Sequence, residues 1–301
     1  MATSIAILPP LAFHPNEAVE KGFVRILEQL AGCVAVIVPR SPRKLADSVH
    51  NARVLIKRLR AYLWFAKPVF SLSERTQAKS SFQVASHLLA AQRDLVVTRS
   101  ILQMLSRKTR NLPYRKALIR LSRNSNGTAN IHGKTVQTLR QVAAILHKTI
   151  KEMEAHVKSH SQWPVTSDRM TQAFHSTKKA GKRALKHDDP AQFHVWRKRA
   201  KRLLYLLQLT QTAPCKPPVR LLERVDVLQE KLGDYHDSVV VQDHLQKKAP
   251  DKATSQLVRH SVNLLEKRKR HLREDVRKIA KQINRSNPMR ASKRQSQKLP
   301  L

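Results

Sequence analysis

Acidic side chains are scarce in this sequence. Its 301 residues include 21 Asp and Glu against 58 Lys and Arg, which gives a formal net charge of +37 at pH 7. Such an excess of one sign resists compaction through self-repulsion and attracts polyanions. Aromatic residues make up 5% of the chain, which argues against a platform for stacking single-stranded bases. Nucleic acid, anionic membrane, phosphorylated metabolites and inorganic polyphosphate all remain candidate partners.

Glycine is also scarce. The chain has six glycines, and most of its 15 prolines fall between segments of helical periodicity. This pattern favours an all-α fold over a turn-rich all-β fold. Hydrophobic residues make up 41% of the chain, which is enough for a core. The strand-like run at residues 34–42 is interrupted by Pro39 and Pro42, so we interpret it as an ordered linker.

Cysteines are few and long apolar runs are lacking. Cys33 and Cys215 form no metal-binding pattern, and two cysteines in a chain of this size are more typical of reduced thiols than of a disulfide. No apolar run approaches the roughly 20 residues that span a bilayer. The N-terminal MATSIAILPPLAF lacks the basic start of a signal peptide. We therefore expect a cytoplasmic protein with no membrane span.

Apolar periodicity and helix stop signals predict eight helices, four in each half of the chain. They cover residues 16–31, 42–66 (with Ser41 as N-cap), 73–106, 113–159 (with a break near 124–127), 168–186, 191–211, 219–247 and 251–283. We expect residues 1–14 to be unstructured. The predicted domain boundaries are a flexible leader at 1–11, a folded domain at 12–285 with halves 12–160 and 165–285, and a disordered basic tail at 286–301.

One sequence pattern occurs twice. VHNARVLIKRLRAYL near the start and FHVWRKRAKRLLYLL near the middle both read His-x-x-Arg-x-x-x-Lys-Arg-Leu. The two histidines, His50 and His194, are 144 residues apart, almost half the chain. An internal repeat at this spacing predicts a duplicated architecture. The repeated residues are His50, Arg53, Lys57 and Arg58 in the first copy and His194, Arg197, Lys201 and Arg202 in the second.

Each copy places its cations on one stripe of a helix, apart from its apolar residues. On a helical wheel, four side chains of the first copy lie within about 80°, namely His50, Arg53, Lys57 and Arg60. In the second copy the same angles belong to His194, Arg197 and Lys201. Residues 49–68 include no acid, although solvated helices usually mix signs. The stripes therefore indicate an external anion, without which crowded cations should keep both histidines neutral.

Two further groups of basic residues are weaker candidates. LLAAQRDLVV (88–97) aligns with KLGDYHDSVV (231–240), so that Asp94 matches Asp237 and Arg93 matches His236. We expect the two acids to orient arginines on neighbouring helices, whereas Arg93 fits either a structural or an anion-binding role. The segment before the second copy carries a basic face that fits either the same groove or a solvated surface, formed by His175, Lys178, Lys179, Lys182, Arg183 and Lys186.

These motifs resemble those of the CHAD family, the conserved histidine α-helical domain. The family's halves carry patterns similar to H-x-x-R-V-x-x-R/K-R-L-R and H-x-x-R-K-x-x-K-R-L-R-Y, which correspond to residues 50–60 and 194–205. Its L-G-x-x-R-D and Q-x-x-L-G-x-x-x-D elements are similar to residues 89–94 and 229–237. The resemblance covers roughly residues 12–285. The chain departs from the pattern where Leu204 replaces an arginine, Ala90 replaces a glycine and His236 stands at a frequent asparagine.

The resemblance implies two four-helix bundles related by pseudo-two-fold symmetry, with a basic surface across them. It also implies binding of inorganic polyphosphate, often at polyphosphate granules. Many members are fused to a triphosphate-handling CYTH domain, for which this chain has no room, so we expect a stand-alone member. The predicted polyphosphate-binding residues are His50, Arg53, Lys57, Arg58, Arg60, Arg93, Lys179, Arg183, His194, Arg197, Lys198, Lys201 and Arg202.

Three other functions compete with this prediction. The charge fits an RNA- or DNA-binding protein, and non-specific nucleic-acid binding is expected in any case. A metal-dependent phosphate-processing enzyme normally holds its metal with clustered carboxylates. Here the acids are scattered, the pairs His156 with His160 and Asp234 with Asp237 lack companion ligands, and no G-x-x-x-x-G-K-S/T loop occurs. We therefore expect no catalysis, metal or cofactor. Association with anionic lipid ranks last, because the apolar stripes suit an internal core.

Overall fold

The computed structural model describes residues 11–39, 44–124, 130–158, 166–212, 217–247 and 252–285. Within these ranges the chain forms ten α-helices, a short 3-10 helix at Lys67–Val69 and no β-strand, which confirms the all-α prediction. The α-helices are α1 (Val19–Ala35), α2 (Leu45–Phe65), α3 (Leu72–Leu88), α4 (Ala90–Lys108), α5 (Leu112–Asn124), α6 (Asn130–Lys158), α7 (Thr166–His187), α8 (Pro190–Leu209), α9 (Val219–Lys247) and α10 (Lys252–Arg285).

Most of these helices lie where the periodicity predicted them. α5 ends at Asn124 and α6 begins at Asn130, and most of the predicted break near 124–127 lies between them, outside the described residues. Asp189 accepts a hydrogen bond from the Ala191 backbone N–H and Pro190 is the first residue of α8, a favourable start for a helix. The predicted N-cap Ser41, the thiol Cys215 and the basic tail lie outside the described residues.

The predicted helix 73–106 is two helices. α3 ends at Leu88, α4 begins at Ala90, and the helical backbone is interrupted at Leu89. Leu89 is fully buried. Its carbonyl accepts a long hydrogen bond from Arg53 Nη1 of α2, at 3.4 Å. Neither glycine nor proline marks this break, so no local signal revealed it. The expected total of eight helices is therefore wrong for the described residues, which form ten.

The end of the predicted leader is part of the core. Leu11 and Phe13 are each 3% exposed. The Phe13 backbone N–H donates to the carbonyl of Leu209 at 2.9 Å, and its ring lies 6.0 Å from that of Phe65. The expectation of an unstructured segment up to residue 14 is thus wrong for residues 11–13, because their apolar side chains are buried in the core beside Phe65 of α2 and Leu209 of α8.

The helices pack in two groups that meet along α2 and α8. In the first group, α1, α2 and α3 all pack against α6; in the second, α7 packs against α8, α8 against α9, and α10 against both α9 and α7. α2 packs directly on α8, and one main core is shared by both groups. A smaller core joins the α4–α5 hairpin to α9 and α10. The contact between α2 and α8 therefore joins the helices that carry the two copies of the repeat.

The apolar stripes of both copies point into this core. Ala52 and Leu59 of α2, and Ala200 and Leu203 of α8, are 0% exposed. Burial of such side chains supplies most of the driving force for packing. The stripes therefore fix how α2 and α8 are rotated about their own axes. Within the described ranges, no helix is both long enough and apolar enough to cross a bilayer.

One close approach in the second group depends on glycine. Gly181 of α7 faces the indole of Trp196 of α8, and a Cβ at residue 181 would lie 2.9 Å from both Cε2 and Cζ2 of that ring. The Trp196 side chain is 1% exposed and packs against Phe193 at a centroid distance of 6.1 Å. The ring therefore has little freedom to move away from a larger residue.

We predict that Gly181→Val lowers the free energy of unfolding by about 1–3 kcal/mol, the usual cost of overpacking a core. The matched control is Gly32→Val in α1, where an added Cβ meets nothing within 4 Å and the change should stay within about 0.5 kcal/mol. Urea unfolding followed by circular dichroism measures both variants. Equal urea midpoints for the two variants would show that α7 and α8 can move apart to admit the larger side chain without loss of stability.

Candidate polyanion-binding cleft

A cleft of about 580 Å³ lies beside the contact between α2 and α8. Its walls come from three helices: α2 and α8, which carry the repeat, and α3. The lining residues are Arg53, Ile56, Lys57, Arg60, Ala61, Leu63, Trp64, Lys67, Arg75, Lys79, Gln83, Ser86, His194, Arg197, Lys198, Lys201 and Arg202. Both copies of the repeat thus face one space, although they lie far apart in sequence.

The charge of this lining has one sign. Of its 17 residues, ten are Lys or Arg and one is His, and no acid occurs among the described residues that line it. Like charges this close raise the free energy of the empty cleft, and they produce a local positive potential. The cleft is therefore suited to an anion with charge distributed along its length.

The structure brings together eight of the thirteen residues that the sequence predicted for the site. They are Arg53, Lys57 and Arg60 of α2 and His194, Arg197, Lys198, Lys201 and Arg202 of α8. These residues share the cleft because each copy buries its apolar stripe in the same core. The repeated motif selected them, but it selected Arg58 as well, which does not line the cleft.

His50 lies just before the cleft-lining part of α2 and is exposed. Its pKa is lowered from the usual value by partial burial and then by the positive charges of Lys57 and Lys201, with a smaller effect of Arg53. Lys201 belongs to the second copy of the repeat, so His50 senses cations from both helices. The direction of this shift agrees with the expectation that His50 is neutral when no anion is bound.

Four other predicted residues do not line the cleft. Arg58 is 8% exposed and lies inside the contact between α2 and α8, with its guanidinium 5.7 Å from the centre of the Tyr205 ring. This position makes Arg58 part of the core rather than of the cleft surface. Lys179 and Arg183 are exposed on α7 and are likewise absent from the lining. The side chain of Arg93 lies outside the described residues.

Sequence reasoning missed the third wall. Arg75, Lys79, Gln83 and Ser86 occupy one face of α3 at spacings of four, four and three residues, and all of them line the cleft. The spacing marks a helical face, but α3 has no copy of the repeat to distinguish this face from ordinary surface. Lys67, just after α2, was missed for the same reason.

Trp64 forms part of the cleft wall and is held by two arginines. The Arg202 guanidinium lies 4.6 Å from the centre of the Trp64 ring, and that of Arg169 lies 4.0 Å from it. Burial, followed by the positive charges of Arg199 and Arg169, lowers the pKa of Arg202 to about 10. Arg202 stays charged at neutral pH, but it is poorly solvated, so an anion near it would gain a strong contact.

Helix α9 supports α8 from behind. Gly233 of α9 faces Arg197, and a Cβ there would lie 3.7 Å from Arg197 Nε. The rings of His194 and His236 have centroids 4.5 Å apart. These contacts restrict the side chains of His194 and Arg197 on the α8 wall. His236 thus lies directly against a histidine of the cleft.

The described residues contain no group of three or more His, Cys, Asp or Glu side chains arranged to hold a metal ion. His156 Nδ1 lies 3.0 Å from Glu74 Oε1, a pairing between α6 and α3, while His160 lies outside the described residues. Asp234 forms an ion pair with Arg268 of α10 at 2.9 Å. His156 and Asp234 therefore have structural partners on neighbouring helices.

Arg169 links α7 to the end of α2. Its Nε donates to the carbonyl of Phe65 at 3.0 Å and its Nη2 donates to the carbonyl of Trp64. These two acceptors belong to the last turn of α2, where carbonyls lack partners within the helix. The planar fork of arginine suits both acceptors together, whereas a lysine ammonium does not.

We predict that Arg169→Lys lowers the free energy of unfolding by about 1.5–3 kcal/mol, because buried acceptors lose a charged donor. Arg183→Lys is the control, since Arg183 is exposed on the same helix and should change stability by less than about 0.5 kcal/mol. Chemical unfolding of the two variants provides the measurement. If Arg169→Lys left the free energy of unfolding unchanged, the two hydrogen bonds from Arg169 to the end of α2 would not contribute to stability.

Comparison with known proteins identifies this arrangement of helices. The family model of the CHAD domain matches residues 28–246, which include both copies of the repeat. The chain is also similar to the crystal structure of the CHAD domain from the plant Ricinus communis, with a TM-score of 0.66 at 18% identity, over 91% of this chain and 95% of that chain. At this identity the likeness concerns the fold alone.

Two curated proteins of Mycobacterium tuberculosis, from strains CDC 1551 and H37Rv, are each 26% identical over 305 residues. Both carry the name of an uncharacterized protein. The alignments cover 95% of this chain but 57% of each relative, so the chain spans little more than half the length of these relatives. The family model matches residues 28–246, which is well over half of the chain and includes both repeat helices. The chain therefore belongs to the CHAD domain family.

Proposed function

We propose that this protein binds inorganic polyphosphate, without catalysis, in the cleft between α2, α3 and α8. The observation that carries the proposal is the composition of the cleft wall, with ten Lys and Arg residues and no acid among the described lining residues. Inorganic polyphosphate is a flexible chain with about one negative charge per phosphate and no bases to be read. A site for it needs many cationic donors along a groove, and membership of the CHAD family supports the same reading.

The two kinds of cation contribute differently. Arginines such as Arg53 and Arg197 can place two N–H groups on neighbouring phosphate oxygens, and lysines such as Lys57 and Lys201 add compact charges. Trp64 already contacts the guanidinium groups of Arg169 and Arg202. The cleft wall thus favours a polymer recognised by charge over a base that requires an aromatic surface.

The absence of carboxylates from the described cleft lining also supports binding without reaction. Phosphoryl transfer commonly uses carboxylates to hold metal ions against the reacting phosphate. We include in the proposal a pseudo-two-fold relation between the helix groups and a location at cytoplasmic polyphosphate granules. Release of phosphate from long-chain polymer in the presence of Mg²⁺ or Mn²⁺ would contradict the non-catalytic part.

We predict that Arg53→Ala combined with Arg197→Ala abolishes polyphosphate binding with little loss of stability. One arginine comes from each copy of the repeat, and neither belongs to the apolar stripe. The hydrogen bond from Arg53 Nη1 to the Leu89 carbonyl is long, at 3.4 Å, and its loss should cost about 1 kcal/mol. Isothermal titration with long-chain polymer near physiological ionic strength measures the affinity, and a rise in melting temperature with added polymer gives a second readout.

The matched control removes two arginines elsewhere, with Arg120→Ala in α5 and Arg140→Ala in α6, both exposed and outside the cleft lining. This control should bind nearly as well as the wild-type protein. Equal affinity of the two double variants would place the polymer outside the cleft. Unfolding of the Arg53 and Arg197 variant would instead assign these arginines to the core.

We predict tighter polyphosphate binding as the pH falls from about 8 to 6. The pKa of His50 is lowered in the free protein, and a bound anion favours its protonated form, so binding takes up a proton. Each histidine linked in this way can increase affinity by at most about tenfold per pH unit. Long-chain polymer keeps the contribution of terminal phosphates small. His50→Gln with His194→Gln should flatten the profile, and a flat wild-type profile would remove the histidines from the binding site.

A further inference from the structure

The outward face of α10 carries a second row of cations. Residues spaced by three or four along this helix fall within a sector of about 80°. They are Arg259, Asn263, Lys267, Arg270, Glu274, Arg277, Lys281 and Arg285. All eight are exposed, and six of them are Lys or Arg. We call these eight residues the α10 stripe.

The cations on the inner faces of α10 are used within the fold. Lys269 Nζ lies 2.7 Å from Glu266, Arg268 lies 2.9 Å from Asp234, and Arg273 lies 2.9 Å from Asp188. By contrast, no cation of the α10 stripe forms an ion pair with a described residue. The inner and lateral cations of α10 are thus neutralised by Glu266 of the same helix and by Asp188 and Asp234 of neighbouring segments, while the stripe keeps its positive charge.

An ordinary solvated helix would look different. The neighbouring helix α9 exposes Glu223, Asp226 and Glu230 together with Arg220, so its exposed face mixes signs. Mixed signs stabilise an exposed helix through pairs of opposite charge, whereas like charges at these spacings destabilise it. The α10 stripe accepts that repulsion over 27 residues with a single acid, Glu274.

The α10 stripe is separate from the cleft. α10 packs on α9 and α7, whereas the cleft lies where α8 packs on α2. Within the second helix group, α8 and α10 occupy opposite corners, with α7 and α9 between them. The outward face of α10 therefore points away from the cleft, and a polymer bound in the cleft leaves it accessible.

The chemistry of the α10 stripe limits its partner. The exposed large hydrophobic residues of the described chain, such as Val84, Val195 and Val227, lie on other helices. A helix that inserts into a membrane surface needs an exposed apolar face, and the centre of a protein interface is usually apolar or aromatic. A partner for this face must therefore be bound through charge alone.

We propose that the α10 stripe binds the phosphate backbone of duplex nucleic acid without reading its sequence. The stripe extends over 26 residue steps, from Arg259 to Arg285, which corresponds to about 39 Å along a straight helix. This length matches about one turn of a duplex, roughly 34–36 Å. A duplex is a stiff polyanion that can lie along an open cationic row, whereas a flexible chain would lose conformational entropy there without enclosing walls.

The test compares duplex DNA binding by two variants with equal changes of charge. The stripe variant carries Lys267→Gln, Arg270→Gln, Arg277→Gln and Lys281→Gln. The control carries Lys21→Gln, Lys44→Gln, Lys134→Gln and Arg140→Gln, four exposed cations of the first half. Fluorescence anisotropy with a 20-base-pair duplex of arbitrary sequence, at several salt concentrations, gives the affinity and its salt dependence.

We expect the stripe variant to bind the duplex at least about tenfold more weakly than the control at moderate salt. Its slope of log affinity against log salt should fall by up to about 3.6, from about 0.9 for each of four lost phosphate contacts. The control should keep nearly the wild-type slope. Changing the base sequence of the duplex should leave both values unchanged.

If the fourfold variant does not fold, two double variants replace it, Lys267→Gln with Arg270→Gln and Arg277→Gln with Lys281→Gln. Each should lower the slope by up to about 1.8, half of the change expected for the fourfold variant. The proposal is overturned if stripe and control variants bind the duplex equally. It is also overturned if the stripe variant loses binding to long-chain polyphosphate or to vesicles with anionic lipid instead of the duplex. Arg53→Ala with Arg197→Ala should weaken duplex binding no more than Arg120→Ala with Arg140→Ala does, so a failure of the cleft proposal is distinguishable.

Discussion

The packing of α2 against α8 is the constraint on which the rest of the structure depends. Each helix has an apolar stripe and a cationic stripe on different faces, and burial of the apolar stripes in one core sets the rotation of both helices. A rotation of either helix by one residue, about 100°, would bury cations or expose core side chains. The shared core therefore places Arg53 and Lys57 opposite Arg197 and Lys201 across one cleft.

The cations that line the cleft repel one another and so lower the stability of the fold, and the same positive potential attracts an anion. Burial and neighbouring cations lower the pKa of Arg202 to about 10, and they also lower that of His50. The shift of Arg202 shows that positive charge is disfavoured in the cleft wall, and that of His50 shows the same at the neighbouring start of α2. A bound polyanion would remove this repulsion, so the fold and the proposed ligand should stabilise each other. Arg169 and Trp64 keep the wall in place despite the crowding.

The cleft and the α10 stripe present the same chemistry in two shapes. In the cleft, cations from three helices would surround the proposed polymer. Their contacts would offset the conformational entropy that a flexible chain loses on binding. The α10 stripe is open and straight, and it suits a polymer that is already stiff. A protein with both surfaces could hold polyphosphate and nucleic acid at once. The distinction rests on geometry, since Lys and Arg supply the charge in both places.

The sequence by itself determined the helices and the residues of the repeat, because helix formation and the spacing of His194, Arg197 and Lys201 are local properties. The position of Arg58 does not follow from the wheel, because Arg58 and Arg202 lie at the same angle, about 80° beyond His50 and His194, yet only Arg202 lines the cleft. Only the tertiary structure decided that α3 forms the third wall with Arg75 and Lys79, that the chain breaks at Leu89, and that α10 points away from the cleft. These features depend on which distant side chains pack together, and no short stretch of sequence encodes that choice.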